Sequence, residues 1–374
     1  MIGSVCIVTT VHYHKDNRIY FKQALSLADA GLQVSMVTND SWRDVDPRIE
    51  HTVLPLERFR LLRFIRLSFY RVLVVMLREK ADVYHLHDPE LIPAGLLLKL
   101  LRKRVVFDIH EMIPESILTK TYMIAPLRRL MFYIMSGVER VAVRFVDGVI
   151  TARPDIREKF ARPDIQVIHN YPILPDEAKL NKLLERKGRD GNKNFSGIYV
   201  GAMSKNRGIL ELIEAFADLD GIELKLLGRF ENKQFEAECR ASEGWHRVIY
   251  LGQVDANEIY EYIAGADFGV VTFLSAPNHL TTIATKPFEY MACGLPVIMS
   301  DFSYWRSVFS DHGVYVDPSN VLDIRESVRK LFALGSAERK RIGSANKRFV
   351  LEQCQWSIEE EKLTAFYARL LSAA

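Results

Sequence analysis

The feature that most constrains the fold is an alternation that runs through the chain twice. In the first half the short apolar, β-branched runs are SVCIVTT (4–10), QVSMVT (33–38), DVYHLH (82–87), RVVFDIH (104–110), DGVITA (147–152) and IQVIHN (165–170). Helical stretches lie between them, the first being RIYFKQALSLADAG, which ends in Gly31. A polar segment, EAKLNKLLERKGRDGNKNFSG (177–197), interrupts the pattern and reads as a linker. The alternation then restarts with IYVGAM (198–203), ELKLLG (223–228), VIYLG (248–252), FGVVTF (268–273), LPVIMS (295–300) and GVYVDP (313–318). These runs are apolar without strict alternation, as parallel strands covered on both faces should be. The fold class expected is α/β, with two successive Rossmann-like, doubly wound domains. In such sheets ligands lie beyond the carboxyl ends of the strands, so two facing sheets would make a cleft there.

Composition narrows the function. The 374 residues suit two domains. A net charge of +3 speaks against a nucleic-acid binder. Cys6, Cys239, Cys293 and Cys354 are far apart and form no CxxC pair. That implies a reducing, cytoplasmic setting and no metal cluster. The first residues, MIGSVCIVTTVHYH, read as a strand and not as a leader. The Arg-rich stretch 58–80, RFRLLRFIRLSFYRVLVVMLREK, mixes cations with Leu, Phe and Tyr, which suits contact with a membrane surface. The plainer reading is a part-buried helix with snorkelling arginines. PLRRLMFYIM (126–135) repeats the composition.

Five stretches carry candidate chemistry. In TKPFEYMACGLPVIMSD (285–301), Glu289 falls in the first turn of a helix entered at Lys286-Pro287. A carboxylate there either complements the helix dipole or accepts from two sugar hydroxyls, and the backbone near Thr285 and Lys286 could face a diphosphate. In YVGAMSKNRGILELIEAF (199–216), a strand ends at Gly201 and a polar loop brings Lys205 and Arg207 before a helix. Arg207 could clamp phosphate, or both cations could simply be solvated. His110 and Glu111 follow an apolar strand; a histidine bonded to a neighbouring carbonyl is the plainer alternative to one facing a cleft. His85-x-His87-Asp88 resembles a metal pair of amidohydrolases, yet such a barrel needs ligands that two separate sheets do not supply. Asp44-Asp46 and Asp218-Asp220 are DxD-like, in polar turns that fit solvated acids better than a metal-diphosphate site.

Taken in order, DNRIYFKQALSLADAGLQVSMVT, LHDPELIP, VVFDIHEMIPES, VIHNYP, VGAMSKNRGILELIEAF and TKPFEYMACGLPVIMSD resemble a GT-B glycosyltransferase of the large retaining group often called family 4. The resemblance implies an acceptor-binding domain over 1–176, a linker over 177–196 and a nucleotide-sugar domain over 197–350. A terminal helix over 351–374 would pack back on the first domain. It also implies a nucleoside-diphosphate sugar as donor (UDP- or GDP-linked), a glycan or lipid-linked acceptor, no essential metal or cofactor, and a place in cell-surface polysaccharide or glycoconjugate assembly. On this resemblance Glu289 binds the ribose, while Arg207, with Gly201, Thr285 and Lys286, binds the diphosphate. Thr281, Thr282, Ile283 and Ala284 face the donor sugar, and His110 is the active-site histidine. Asp16 and Arg18 match a branch with Asp-x-Arg after the first strand, and with His87, Asp88 and Glu111 they belong to the acceptor side or the cleft. Two departures stand out: Thr281 replaces the first glutamate of the family's E-x7-E region, and Ala202 replaces an arginine. A nucleotide-sugar 2-epimerase and a catalytically silent sugar- or partner-binding protein remain as rival readings.

Overall fold

The computed structural model describes residues 3–13, 15–40, 44–54, 72–109, 113–118, 123–187, 194–255, 258–276, 279–280 and 282–372. They form two compact units, one of residues 1–170 with 356–374 and one of 171–355. His110, Glu111, Thr281 and most of the Arg-rich 58–80 stretch lie outside the described residues.

In the first unit the strands are β1 (Ser4–Val8), β2 (Gln33–Thr38), β3 (Ile49–Val53), β4 (Val83–Leu86), β5 (Arg104–Ile109), β6 (Gly148–Thr151) and β7 (Gln166–Val167). They make one parallel sheet in the order β3-β2-β1-β4-β5-β6-β7. In the second unit β8 (Phe195–Val200), β9 (Ile222–Leu227), β10 (Val248–Gly252), β11 (Phe268–Val271), β12 (Val297–Ser300) and β13 (Val314–Val316) make another. Its order is β10-β9-β8-β11-β12-β13, again parallel. Every residue of β4, β6, β8, β11 and β12 is buried, which is why those runs carry no polar alternation. The strand order reverses between β1 and β4 in one sheet and between β8 and β11 in the other. These are the two places where loops part and leave room for a ligand.

The linker expected at 177–196 is corrected by the structure. Glu177–Lys187 is a helix whose Leu180 and Leu183 are buried in the core of the second unit, and the units divide at Asn170/Tyr171. Two leucines three residues apart suffice to dock a helix whose other faces are Lys, Asn and Glu. The terminal helix, Trp356–Ser372, starts five residues later than 351 and belongs to the first unit as expected. Trp356 Nε1 donates to Ser26 Oγ at 2.9 Å, and the Tyr367 hydroxyl lies 2.8 Å from His85 Nδ1. The four cysteines are free and buried, and burial pushes the Cys6 thiol up to about 12, so it stays protonated and inert. Among the described residues no helix is long and apolar enough to cross a membrane.

Candidate active site

At the reversal point of the second sheet, β8 is followed directly by Gly201 at φ +151 and β9 by Gly228 at φ +142. The two chains run so close that a Cβ on Gly228 would stand 1.9 Å from the Gly201 carbonyl oxygen. Without side chains there, the strand ends form the floor of an open pocket of 720 Å³, lined by Gly201, Gly228, Arg229, Gln253, Asp255 and Lys286 among others. That volume suits a ligand of nucleotide size.

Arg207 is set against this floor by its loop. Gly208, at φ +65, turns the chain into the helix Ile209–Ala215. A Cβ at Gly208 would come within 2.0 Å of the Thr272 carbonyl oxygen. The Leu274 amide donates to Asn206 O at 2.9 Å and ties the same loop to the chain beyond β11. Gly208→Ala is therefore expected to cost about 2–4 kcal/mol, since strain and overpacking add. Urea unfolding of the variant measures it. Arg207 Nη1 donates to Ala202 O at 3.2 Å, and the guanidinium lies 5.3 Å over the Phe273 ring. Phe273 meets Trp305 edge-on at 5.8 Å, and Trp305 Nε1 donates to Thr282 O at 2.8 Å. One aromatic pair thus supports both the arginine and the 282–285 loop. Lys205 turns to Glu238, 2.8 Å away.

The helix Lys286–Ala292 carries the acid. Tyr290 anchors it: its hydroxyl accepts from the Val200 amide at 2.8 Å, and its ring packs on Gly269, where a Cβ would sit 2.1 Å away. Glu289 is 8% exposed, and its Oε2 accepts from Lys286 Nζ at 2.6 Å. Burial, with the Glu289 charge second, pushes the Tyr260 phenol up and keeps it neutral beside the carboxylate. Ile283 and Ala284 are half-buried against the core below the helix, whereas Thr282 is exposed. Of the expected donor-site residues Gly201 and Lys286 line the pocket, Arg207 lies against Gly201, and Thr285 and Glu289 flank Lys286 at the helix start. Arg229 escaped sequence reasoning although it directly follows a strand-end glycine, the signal that marked Gly201.

In the first unit three of the residues expected on the acceptor side or in the cleft, Arg18, His87 and Asp88, are buried. Arg18 is buried and grips Asp108 bidentately, with Nε and Nη2 each 3.0 Å from a carboxylate oxygen, while Nη1 donates to Ile168 O. Gln23 Nε2 donates to the same carboxylate at 2.6 Å. His87 Nδ1 is 3.7 Å and His85 Nε2 4.0 Å from Asp108. His85, His87 and Asp108 have ligand atoms within 4.8 Å of one another, a spacing that could hold a metal ion. The guanidinium already on Asp108 opposes a second cation there, and the cluster reads as a buried polar network. Asp88 is buried at the end of β4, where it accepts from the Thr10 amide at 2.6 Å and Thr9 Oγ1 at 2.9 Å and so shapes the loop after β1. Asp16 is half-buried and caps the π-helix Asn17–Ala24 through the Arg18 and Ile19 amides, at 2.8 and 2.9 Å. Burial raises its carboxyl, but hydrogen bonds from His12 and those two amides outweigh this and hold it below the usual range.

Comparison with known proteins decides the family. Residues 181–349 match the family described as Glycosyl transferases group 1, and residues 21–170 match the Glycosyl transferase 4-like domain. The chain belongs to the group 1 glycosyltransferases. An uncharacterized glycosyltransferase of Methanocaldococcus jannaschii is 26% identical over 163 residues, which span 43% of this chain and 44% of that relative. In fold this glycosyltransferase is similar to sucrose-phosphate synthase from Thermosynechococcus elongatus, with a TM-score of 0.73 at 18% identity and full coverage of both chains. It is also similar to Anabaena HepE, solved in complex with UDP-glucose, with a TM-score of 0.68 at 14% identity and full coverage of both chains. Its two parallel-sheet Rossmann-like units are those of the GT-B fold.

Proposed function

We propose that this glycosyltransferase moves a hexose-type sugar from a UDP- or GDP-sugar to a hydroxyl of a glycan or lipid-linked acceptor, with retention at the anomeric carbon and no essential metal. The reading rests chiefly on one grouping: Arg207, Arg229 and Lys286 beside a pocket floored by Gly201 and Gly228, with Glu289 next to Lys286. Negative charge develops on the departing diphosphate in the transition state, and cations fixed in place beforehand stabilise it there most. Arg207, held by Ala202 O and Phe273, is fixed in this sense. Glu289 keeps Oε1 for a ribose hydroxyl while Lys286 neutralises its charge from Oε2. Thr282 is assigned to the donor sugar and Thr285 to its phosphates, on the family resemblance. His110 is assigned to positioning the sugar, not to proton abstraction, and cell-surface glycan assembly is the setting the family resemblance supports.

UDP is the nucleotide to test first, because HepE was solved with UDP-glucose. UDP at a hundred times its Kd is expected to stabilise the protein by about 2.7 kcal/mol, read as a rise in melting temperature. GDP in parallel tests the base. Sugar release from the donor is expected to need an acceptor and to persist in EDTA. A melting point moved by neither nucleotide nor any nucleotide-sugar would refute the donor site, and product formed from donor alone would favour an epimerase.

A further inference from the structure

Among the described residues the longest helix of the first unit, Ala125–Phe145, buries Ser136, Glu139, Ala142 and Val143 and leaves its opposite side in solvent. Leu127, Leu130, Ile134, Val141 and Phe145 are exposed and recur at i, i+3, i+7, i+14 and i+18, so they form one stripe. The exposures are large: 56% at Leu130, 58% at Phe145, and 70% at Tyr133 beside the stripe. Arg129, Arg140 and Arg144, all exposed, follow the Tyr133 edge. The one acid of the helix, Glu139, is turned inward to Lys159 at 3.1 Å. The outer side is therefore apolar along its middle and purely cationic along its flank. The neighbouring helix Ile92–Leu100, which packs against it, ends in the exposed Leu100 and Leu101 followed by Arg102 and Lys103.

We propose that this side of Ala125–Phe145 docks on the surface of a membrane rich in anionic lipid, with the apolar stripe at the acyl boundary and the arginines on the headgroups. Its 21 residues span about 31 Å and can lie flat in the interface. Tyr133 offers a ring and a hydroxyl suited to that depth. A second copy of the chain fits worse. A two-fold axis would place arginine against arginine, and the outer side of the helix has no acid to pair them.

The test is sedimentation of the full chain with vesicles of equimolar phosphatidylcholine and phosphatidylglycerol, or of phosphatidylcholine alone. The protein is expected to pellet with the first and to remain in solution with the second. Leu130→Glu with Ile134→Glu should reduce partitioning about tenfold or more, and Arg129→Glu with Arg140→Glu by a similar factor on anionic vesicles only. Both pairs should keep the parent melting point and its rise with UDP, a readout separate from the vesicle assay. Parent protein left in the supernatant, double variants that pellet as the parent does, or a lipid-free dimer that Leu130→Glu with Ile134→Glu dissociates would each overturn the proposal.

Discussion

Arg207→Ala is expected to lower kcat/KM by about 10²–10³-fold, the scale seen when one preorganised donor to developing charge is removed. The arginine can go without collapse, because it is half-buried and its contacts are a carbonyl, a ring face and the Tyr199 hydroxyl, all at the edge of the core. A melting temperature close to that of the parent would show that the loss is chemical. Glu289→Ala should remove about 10²-fold by a different route. A charged acceptor for the ribose is lost, worth about 1.5–3 kcal/mol per hydrogen bond, and Lys286 loses its partner at 2.6 Å. The two variants should also differ with ligand: Glu289→Ala loses stabilisation by uridine as well as by UDP, whereas Arg207→Ala loses mainly the part contributed by the diphosphate. Near-parental turnover in both variants would leave the donor site without support.

Asp108→Ala is expected to destabilise the first unit by about 3–5 kcal/mol, because it strands a buried guanidinium. Asp108 accepts from Arg18 twice at 3.0 Å and from Gln23 at 2.6 Å, and both members of the ion pair are buried. Paired replacement, Arg18→Met with Asp108→Leu, should recover most of that loss, since the cost of two buried charges goes with the benefit of pairing them. Thermal unfolding of the singles and the double closes the cycle. An Asp108→Ala protein within about 1 kcal/mol of the parent would mean that water or another acid reaches Arg18.

Much of the architecture could be read from the chain because its signals are local. Twelve of the strands were marked by apolar β-branched runs. β3 was not, because its IEHTV sits at the sheet edge and alternates with polar residues. The helix start that presents Glu289 was legible from Lys-Pro and the glycine break after Cys293, and Arg207 from its place after a strand-end glycine. The helix at 177–187 was hidden because, among its described side chains, Leu180 and Leu183 alone are fully buried.

The sequence by itself determined two doubly wound parallel sheets and the short stretches that flank their reversal points. Period and turn chemistry act over a few residues, and each stretch carries its own record of them. Only the tertiary structure decided which polar residues point inward. Arg18 finds Asp108 across 90 positions and His85 finds Tyr367 across 282, and no local pattern records a partner that far away. A buried polar group is placed by its partner: Arg18 and His87 meet Asp108 on β5, and Asp88 meets Thr9 and Thr10 in the loop after β1, all distant in sequence. The same holds for the outer stripe of Ala125–Phe145: its apolar side chains could have served a core, and only the packing of the sheet left them in solvent.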